Sequence, residues 1–421
     1  MRGVHGGSRE LAPLLACDGH SKEGGIHMAN DMGATTPSDR IQPAPQAPNP
    51  VQTLPIRFTG SGSEYFRIWI VNLLLILVTF TLYWPFARAR RLAYFQNNTL
   101  LGDDPLGFHA DPWKMFRGYL VVLLMGVAYW AITTVVPSFT VLLLLVLALV
   151  WPALWRASLQ FRLRNSSWRG VRMAFTGDLK GAYLALVPFF LPALVMAVFL
   201  PGAPEGEALS KEQAMQEGLG ALAVGIGMLA LFPWLFARLK RYQHAGYSFA
   251  GEQAELRATT GSFYGWMARV SGLMLLVGAV VGGVVAVIAM AGGGAPAQLV
   301  ALVIVLGVAY LLVPLIVVPY ATAGLQNLLW ANTRSQRTRF RSDLRFKALL
   351  QITVLNWFLI AVTLGLYWPF AQVRLAKARL EAMSLQVKGD VDTWMARVDA
   401  RRHGGVFGDA AGDFVGLDMG L

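Results

Sequence analysis

Six stretches of this chain run nearly free of charge: 118–136, 138–155, 180–200, 219–236, 270–291 and 298–320. A helix needs about 20 apolar residues to cross the hydrocarbon core of a bilayer, and each stretch is close to that length. Composition agrees. The 421 residues are 55% hydrophobic and only 14% charged, whereas a soluble globular chain averages about 25% charged residues. The missing charge is missing in blocks, as in a polytopic membrane protein.

The formal net charge is +12, which by itself would suit a nucleic-acid partner. Its distribution argues otherwise. The connectors 87–117, 156–180, 237–269 and 321–347 hold twenty-two Arg and Lys, whereas the intervening turns on the other side hold Lys211 alone. This is the positive-inside pattern, and it puts the long connectors in the cytoplasm. Arg interleaved with aromatic residues, as at Trp168-Arg169, resembles a nucleic-acid surface. Against the inner leaflet the same residues more simply meet anionic headgroups, at about 1 kcal/mol per basic residue. The expected partners are the bilayer and its anionic headgroups, with no nucleic acid and no cofactor.

One stretch is written twice. Asn72 to Arg90 and Asn356 to Arg374 match at a constant offset: Asn72/Asn356, Thr79/Thr363, Tyr83/Tyr367, Trp84/Trp368, Pro85/Pro369 and Arg90/Arg374 among others. An internal repeat constrains architecture before any other feature. The twin segments, about 66–86 and 347–370, are also apolar, which gives eight hydrophobic segments in all. Six crossings between the copies return the chain to the side it left, and each copy is basic at both ends. Two readings follow: six spanning helices plus two re-entrant elements, or eight spanning helices. Re-entrant backbone is tolerated only where protein or water covers it. A weaker repeat surrounds the strong one. Pro85, Pro152, Pro233, Pro319 and Pro369 each close an inward-running segment, and thirteen residues after three of them stands Asn98, Asn165 or Asn332, followed by Thr or Ser. Short alternating stretches such as Val171–Phe175 and Arg339–Arg341 then read as small strands at the membrane surface. The expected fold is an all-α polytopic membrane domain over 56–388 with, at most, short strands in its connectors. A disordered tail (1–55) is expected before it and a polar, Gly-rich tail (389–421) after it.

The run Glu64-Tyr-Phe-Arg-Ile-Trp-Ile-Val-Asn72, with Thr79, Tyr83-x-Pro85, Arg90-Arg91, Tyr94-Phe95 and Asn98-Thr99, resembles the signature of the YjgN family. Asn327-Leu-Leu-Trp330, Asn332-Thr333, Phe340-x-Ser342 and the Asn356 copy resemble its carboxyl-terminal part. The resemblance covers roughly 56–388 and implies a bacterial multi-pass inner-membrane protein. It brings no catalytic residues. The sequence departs from the family at Phe80-Thr81, where the second copy has Leu364-Gly365.

Catalytic and metal motifs are missing from the sequence. Its six histidines are isolated, without HExxH spacing, and there is no P-loop or GxSxG. Cys17 has no second cysteine to pair with. Leu14-Leu-Ala-Cys17 looks like a lipoprotein box, but its apolar run is too short for a signal peptide, and Met28 or Met32 are alternative starts. No enzyme is expected. The candidate motif is the twelve paired residues named above. Asn72 and Asn356 stand out because an amide in apolar surroundings needs a partner, and interhelical hydrogen bonding is its ordinary role. Two functions stay open: a transporter or channel for a small solute, and a non-catalytic structural or lipid-interacting membrane component.

Overall fold

The computed structural model describes residues 51–199, 210–291 and 294–403. β1 (Val51–Phe58) leads to α1 (Gly62–Val78), which turns back as α2 (Trp84–Asn97) and ends in the hairpin β2 (Thr99–Leu101) and β3 (Asp104–Phe108). The same unit, an outgoing helix, a returning helix with a proline and a strand hairpin, then recurs. In the second, α3 (Pro112–Val135) and α4 (Thr140–Arg164) precede β4 (Ser166–Trp168) and β5 (Val171–Phe175). The third goes out through α5 (Leu179–Leu186), a 3-10 turn and α6 (Leu191–Phe199). It returns through α7 (Lys211–Ala245) to β6 (Tyr247–Phe249), β7 (Glu252–Gln253) and β8 (Glu255–Leu256). The fourth is α8 (Thr260–Met290), α9 (Ala295–Trp330), β9 (Thr333–Arg334) and β10 (Thr338–Ser342). The fifth is α10 (Phe346–Val362), α11 (Trp368–Glu381) and β11 (Met383–Lys388), after which comes α12 (Val391–His403). The twin stretches are the first and last of five units.

Five helices, α3, α4, α7, α8 and α9, are long and apolar enough to cross a membrane. A sixth span results if α5 and α6, bent by 46° at their junction, count as one. Pro188 and Pro192 flank that bend, and each removes a helical N–H donor. These helices are the six charge-free runs of the sequence.

The all-α expectation needs correction. The strands form one eleven-stranded sheet in the order β7-β6-β5-β4-β3-β2-β1-β11-β10-β9-β8. Only Ala254 separates β7 from β8, so the two ends of that order meet and the sheet closes on itself. Closure removes the exposed edges that invite aggregation. No single hairpin in it is long enough to stand alone; each is held by the next unit. The fifth hairpin is assembled from distant parts of the chain, with β1 antiparallel to β11 from Val51↔Lys388 to Pro55↔Ser384. Residues 51–55, read as tail, are therefore strand. Their alternation, burying Leu54, Ile56 and Phe58, marks a half-buried strand. Residues 1–50, with Cys17 and the alternative starts, lie outside the described residues.

Strands on different parts of the circuit share one apolar core. Leu54 and Ile56 of β1, Trp168 of β4, Val171 of β5 and Val387 of β11 pack with Val391, Trp394 and Met395 of α12. Residues 391–403, read as part of a polar tail, thus form a helix that seats one apolar face on the sheet, at i, i+3 and i+4. Arg169, in the β4–β5 turn, pairs with both Asp104 and Asp392 and clasps that helix in place.

The helices follow the same circuit. α2 packs on α3, α3 on α4, α4 on α5 and α6, these on α7, and so on through α11, which packs on α1, which packs on α2. Among the described residues the substantial helix contacts join neighbours and none crosses the circuit. Three of the five returning helices, α2, α4 and α9, end on the sheet through one device. The side chains of Asn98, Asn165 and Asn332 each donate to the carbonyl four residues back at 2.8 Å. The hydroxyls of Thr99, Ser166 and Thr333 do the same. Two carbonyls left without a helical partner at each carboxyl end are satisfied in this way.

Candidate functional site

Each twin stretch is a helical hairpin that starts and ends at the sheet. Tyr94 Oη of α2 donates to Ser61 O, the cap of α1, at 2.8 Å. In the second copy Asp343 N, just ahead of α10, donates to Ala382 O, just after α11, at 2.9 Å. The apex is the same in both. Thr79 Oγ1 donates to Leu75 O at 2.7 Å and accepts from Tyr83 N at 3.0 Å; Thr363 repeats this with Leu359 O and Tyr367 N at 2.7 and 2.9 Å. One hydroxyl thus closes the outgoing helix and opens the returning one. The two residues after it take left-handed backbone: Phe80 and Thr81 at φ 47° and 73°, Leu364 and Gly365 at 49° and 94°. The geometry survives the loss of glycine in the first copy, although a β-branched residue is a marked outlier there. Thr79→Val is expected to lower the apparent melting temperature by a few degrees, because it strands the Tyr83 amide at a cost of about 1 kcal/mol. Thermal unfolding in detergent measures it, and an unchanged midpoint would refute the hydroxyl's role.

The other paired residues complete each hairpin locally. Tyr83 stacks on Phe86, with the Arg90 guanidinium 5.7 Å from the Tyr83 ring; Tyr367, Phe370 and Arg374 repeat this at 5.5 Å. Pro85 and Pro369 are fully buried in the first turns of α2 and α11, where a missing N–H costs nothing. Trp84 and Trp368 stay about half exposed. Asn72 and Asn356 are buried, at 6% and 5% exposure. Asn356 Nδ2 donates at 3.4 Å to Ala371 O of its own hairpin, and the Oδ1 atoms of both residues have no partner. The two amides do not bond to each other. A buried acceptor without a partner costs about 1–3 kcal/mol. Asn72→Leu is therefore expected to raise stability by about 1 kcal/mol in denaturant melts. A clear loss would mean that the amide is satisfied by something bound in the native protein. The twelve candidate residues thus form two separate local clusters.

The structure also assembles a feature spread across segments. α2, α3 and α4 enclose a cleft of about 240 Å³ that Trp84, Arg88, Tyr119, Val122, Trp151 and Trp155 help to line. Desolvation by the walls, with Arg162 and Arg91 close by, holds the Arg88 guanidinium below the ordinary arginine pKa. A larger cleft of about 750 Å³ opens beside β9 and β10, but there Arg257 and Arg334 pair with Glu255, and Arg337 with Glu252. The Arg88 cleft has no such carboxylate. Aligning the units on their prolines would have pointed to it, because Trp84-Pro85 and Trp151-Pro152 then coincide.

The histidines in the described sheet region are structural. Thr333 Oγ1 gives its proton to Leu329 O and so accepts from His244 Nδ1 at 2.8 Å, while His109 Nε2 bonds Ser167 Oγ at 2.8 Å. Among the described residues no three of His, Cys, Asp and Glu converge as metal ligands. His5, His20 and His27 lie outside the described residues.

The profile of a family described as "Bacterial protein of unknown function (DUF898)" matches residues 53–414. The inner membrane protein YjgN of Salmonella typhimurium is 23% identical over 363 residues, 80% of this chain and 89% of that protein. Inner membrane protein YjgN of Escherichia coli O157:H7 is 30% identical over 142 residues, 33% of this chain and 34% of that protein. No solved structure matches the chain. The family match runs through all five helical hairpins, and the apolar helices suit the membrane that the relatives are named for. This chain is a multi-pass protein of the bacterial inner membrane and belongs to the DUF898 family, that of the YjgN proteins.

Proposed function

We propose that the protein is a non-catalytic, lipid-interacting component of the inner membrane, which takes lipid into its helix circuit with headgroups on the basic, sheet-side ends of the helices. One observation carries this reading. The protein buries at most 17% of the apolar window of any of its five long helices. Both faces of those helices are apolar, and 118–135, 140–155, 218–237, 270–290 and 295–330 carry no Asp, Glu, Lys or Arg. The contacts run around the circuit rather than across it, so the inward faces call for acyl chains.

The wall of the circuit also supplies a way in. α4, α7 and α9 begin well ahead of Pro152, Pro233 and Pro319, whereas α2 and α11 begin one residue before Pro85 and Pro369. α1 and α10 have 17 residues each, about 26 Å of helix, short of the ~30 Å core. In this reading the twin hairpins are re-entrant, and they stand side by side because α1 packs on α11. Together they make the low side of the wall, open to the surrounding bilayer. Six spans and two re-entrant hairpins account for all eight hydrophobic segments.

Passage of a small solute is the competing reading. The apolar core under α12 disfavours it, since a polar solute on the circuit axis would meet Trp168, Val387 and Trp394. The test is to quantify phospholipid retained by the purified protein and solute flux in liposomes. Several phospholipids retained per chain without flux are expected; flux of any tested solute with no retained lipid would overturn the proposal.

A further inference from the structure

Resting on that lipid-binding reading, we propose that the cleft between α2, α3 and α4 is a specific site for the phosphate of an anionic lipid. Arg88 grips the headgroup, and Trp84, Trp151 and Trp155 flank it.

The argument begins with charge. The next arginines along α2 are engaged: Arg90 over Tyr83 and Arg91 with Gln372 at 3.0 Å. The guanidinium groups of Arg88 and Arg162 have neither a carboxylate nor a hydrogen-bond partner among the described residues, and the positive charge of Arg162 bears on Arg88. A guanidinium desolvated by apolar walls, with no carboxylate in its cleft, is costly unless an anion joins it. A guanidinium fork fits a phosphate with two parallel hydrogen bonds.

Size and position narrow the ligand to a lipid. A pocket that encloses a whole small molecule typically has about 300–1,000 Å³. The 240 Å³ here suits a headgroup whose chains remain outside. Tryptophans gather at the headgroup level of a bilayer, with the apolar ring in and the N–H at the wet edge. Three indoles and the Tyr119 phenol at one cleft, with Arg88 one turn along α2 from Trp84, suit that depth. The cleft also belongs in part to the first hairpin, the low side of the wall, where lipid enters.

Native mass spectrometry of the full chain with added phosphatidylglycerol tests the site. Arg88→Gln is expected to bind one phosphatidylglycerol about tenfold more weakly than the parent, the scale of one lost charge-assisted hydrogen bond. Val122→Trp fills the cleft, leaves Arg88 in place and should have the same effect, so the proposal stays falsifiable if Arg88→Gln does not fold. Equal occupancy in the parent and in every folded variant overturns the site while leaving the broader reading intact. Absence of retained phospholipid from the parent overturns both. Displacement of the lipid by equimolar glycerol 1-phosphate overturns the lipid assignment in favour of a soluble phosphate.

Discussion

Trp394→Ala is expected to destabilise the protein by about 3–5 kcal/mol, the usual cost of emptying a buried aromatic position. Trp394 is 5% exposed and packs edge-on to Phe249 of β6 at 5.8 Å. It shares its core with β1, β4, β5 and β11, so one side chain ties together strands from three of the five units and β1 from the start of the chain. The damage should spread around the sheet. Truncation after Lys388 removes Val391 and Met395 as well and should release the strand pairing of β1 with β11. Protease sensitivity of the sheet-side connectors and the apparent melting temperature in detergent measure both. A truncated chain with the parent's melting temperature and protease resistance would show that α12 is not part of the core.

A topology reporter fused after residue 403 is expected to read as cytoplasmic, and one inserted within residues 201–209 as periplasmic. With α5 and α6 counted as one span, six spans lie between the twin hairpins and return the chain to one side. β1 is paired with β11, which fixes the start of the first hairpin and the end of the last on the same sheet. That sheet sits among the twenty-two basic residues of the connectors, at about 1 kcal/mol each on the inner leaflet. The effect is all-or-none in the reporter. A periplasmic reading after residue 403 would make one of the twin hairpins a span and close the low side of the wall.

What could be read early follows from what each feature depends on. The long apolar helices were legible because a charge-free run of about 20 residues is sufficient by itself to specify a membrane helix. The hairpin apex was half legible. Thr79 and Thr363 stood out as a matched pair in the repeat, but Thr81 in place of glycine concealed that both copies adopt one geometry. The strands were harder. Val171–Phe175 and Arg339–Arg341 show alternation, yet β7, β8 and β9 have two residues each, too short to leave any pattern. Arg88 was named only as one of many connector charges, because the Trp151 and Trp155 that give it meaning lie more than sixty residues away.

The sequence by itself determined that this chain enters a membrane and that its two ends are built alike. Each of these depends on local composition or on register along one strand of text. Only the tertiary structure decided that five units close into a ring, that β1 completes a hairpin begun by β11, and that a helix from the presumed tail covers the core. Those outcomes rest on pairing between residues as far apart as Val51 and Lys388. No local pattern specifies such a pair; it is selected because it leaves no strand edge open and buries the most apolar surface.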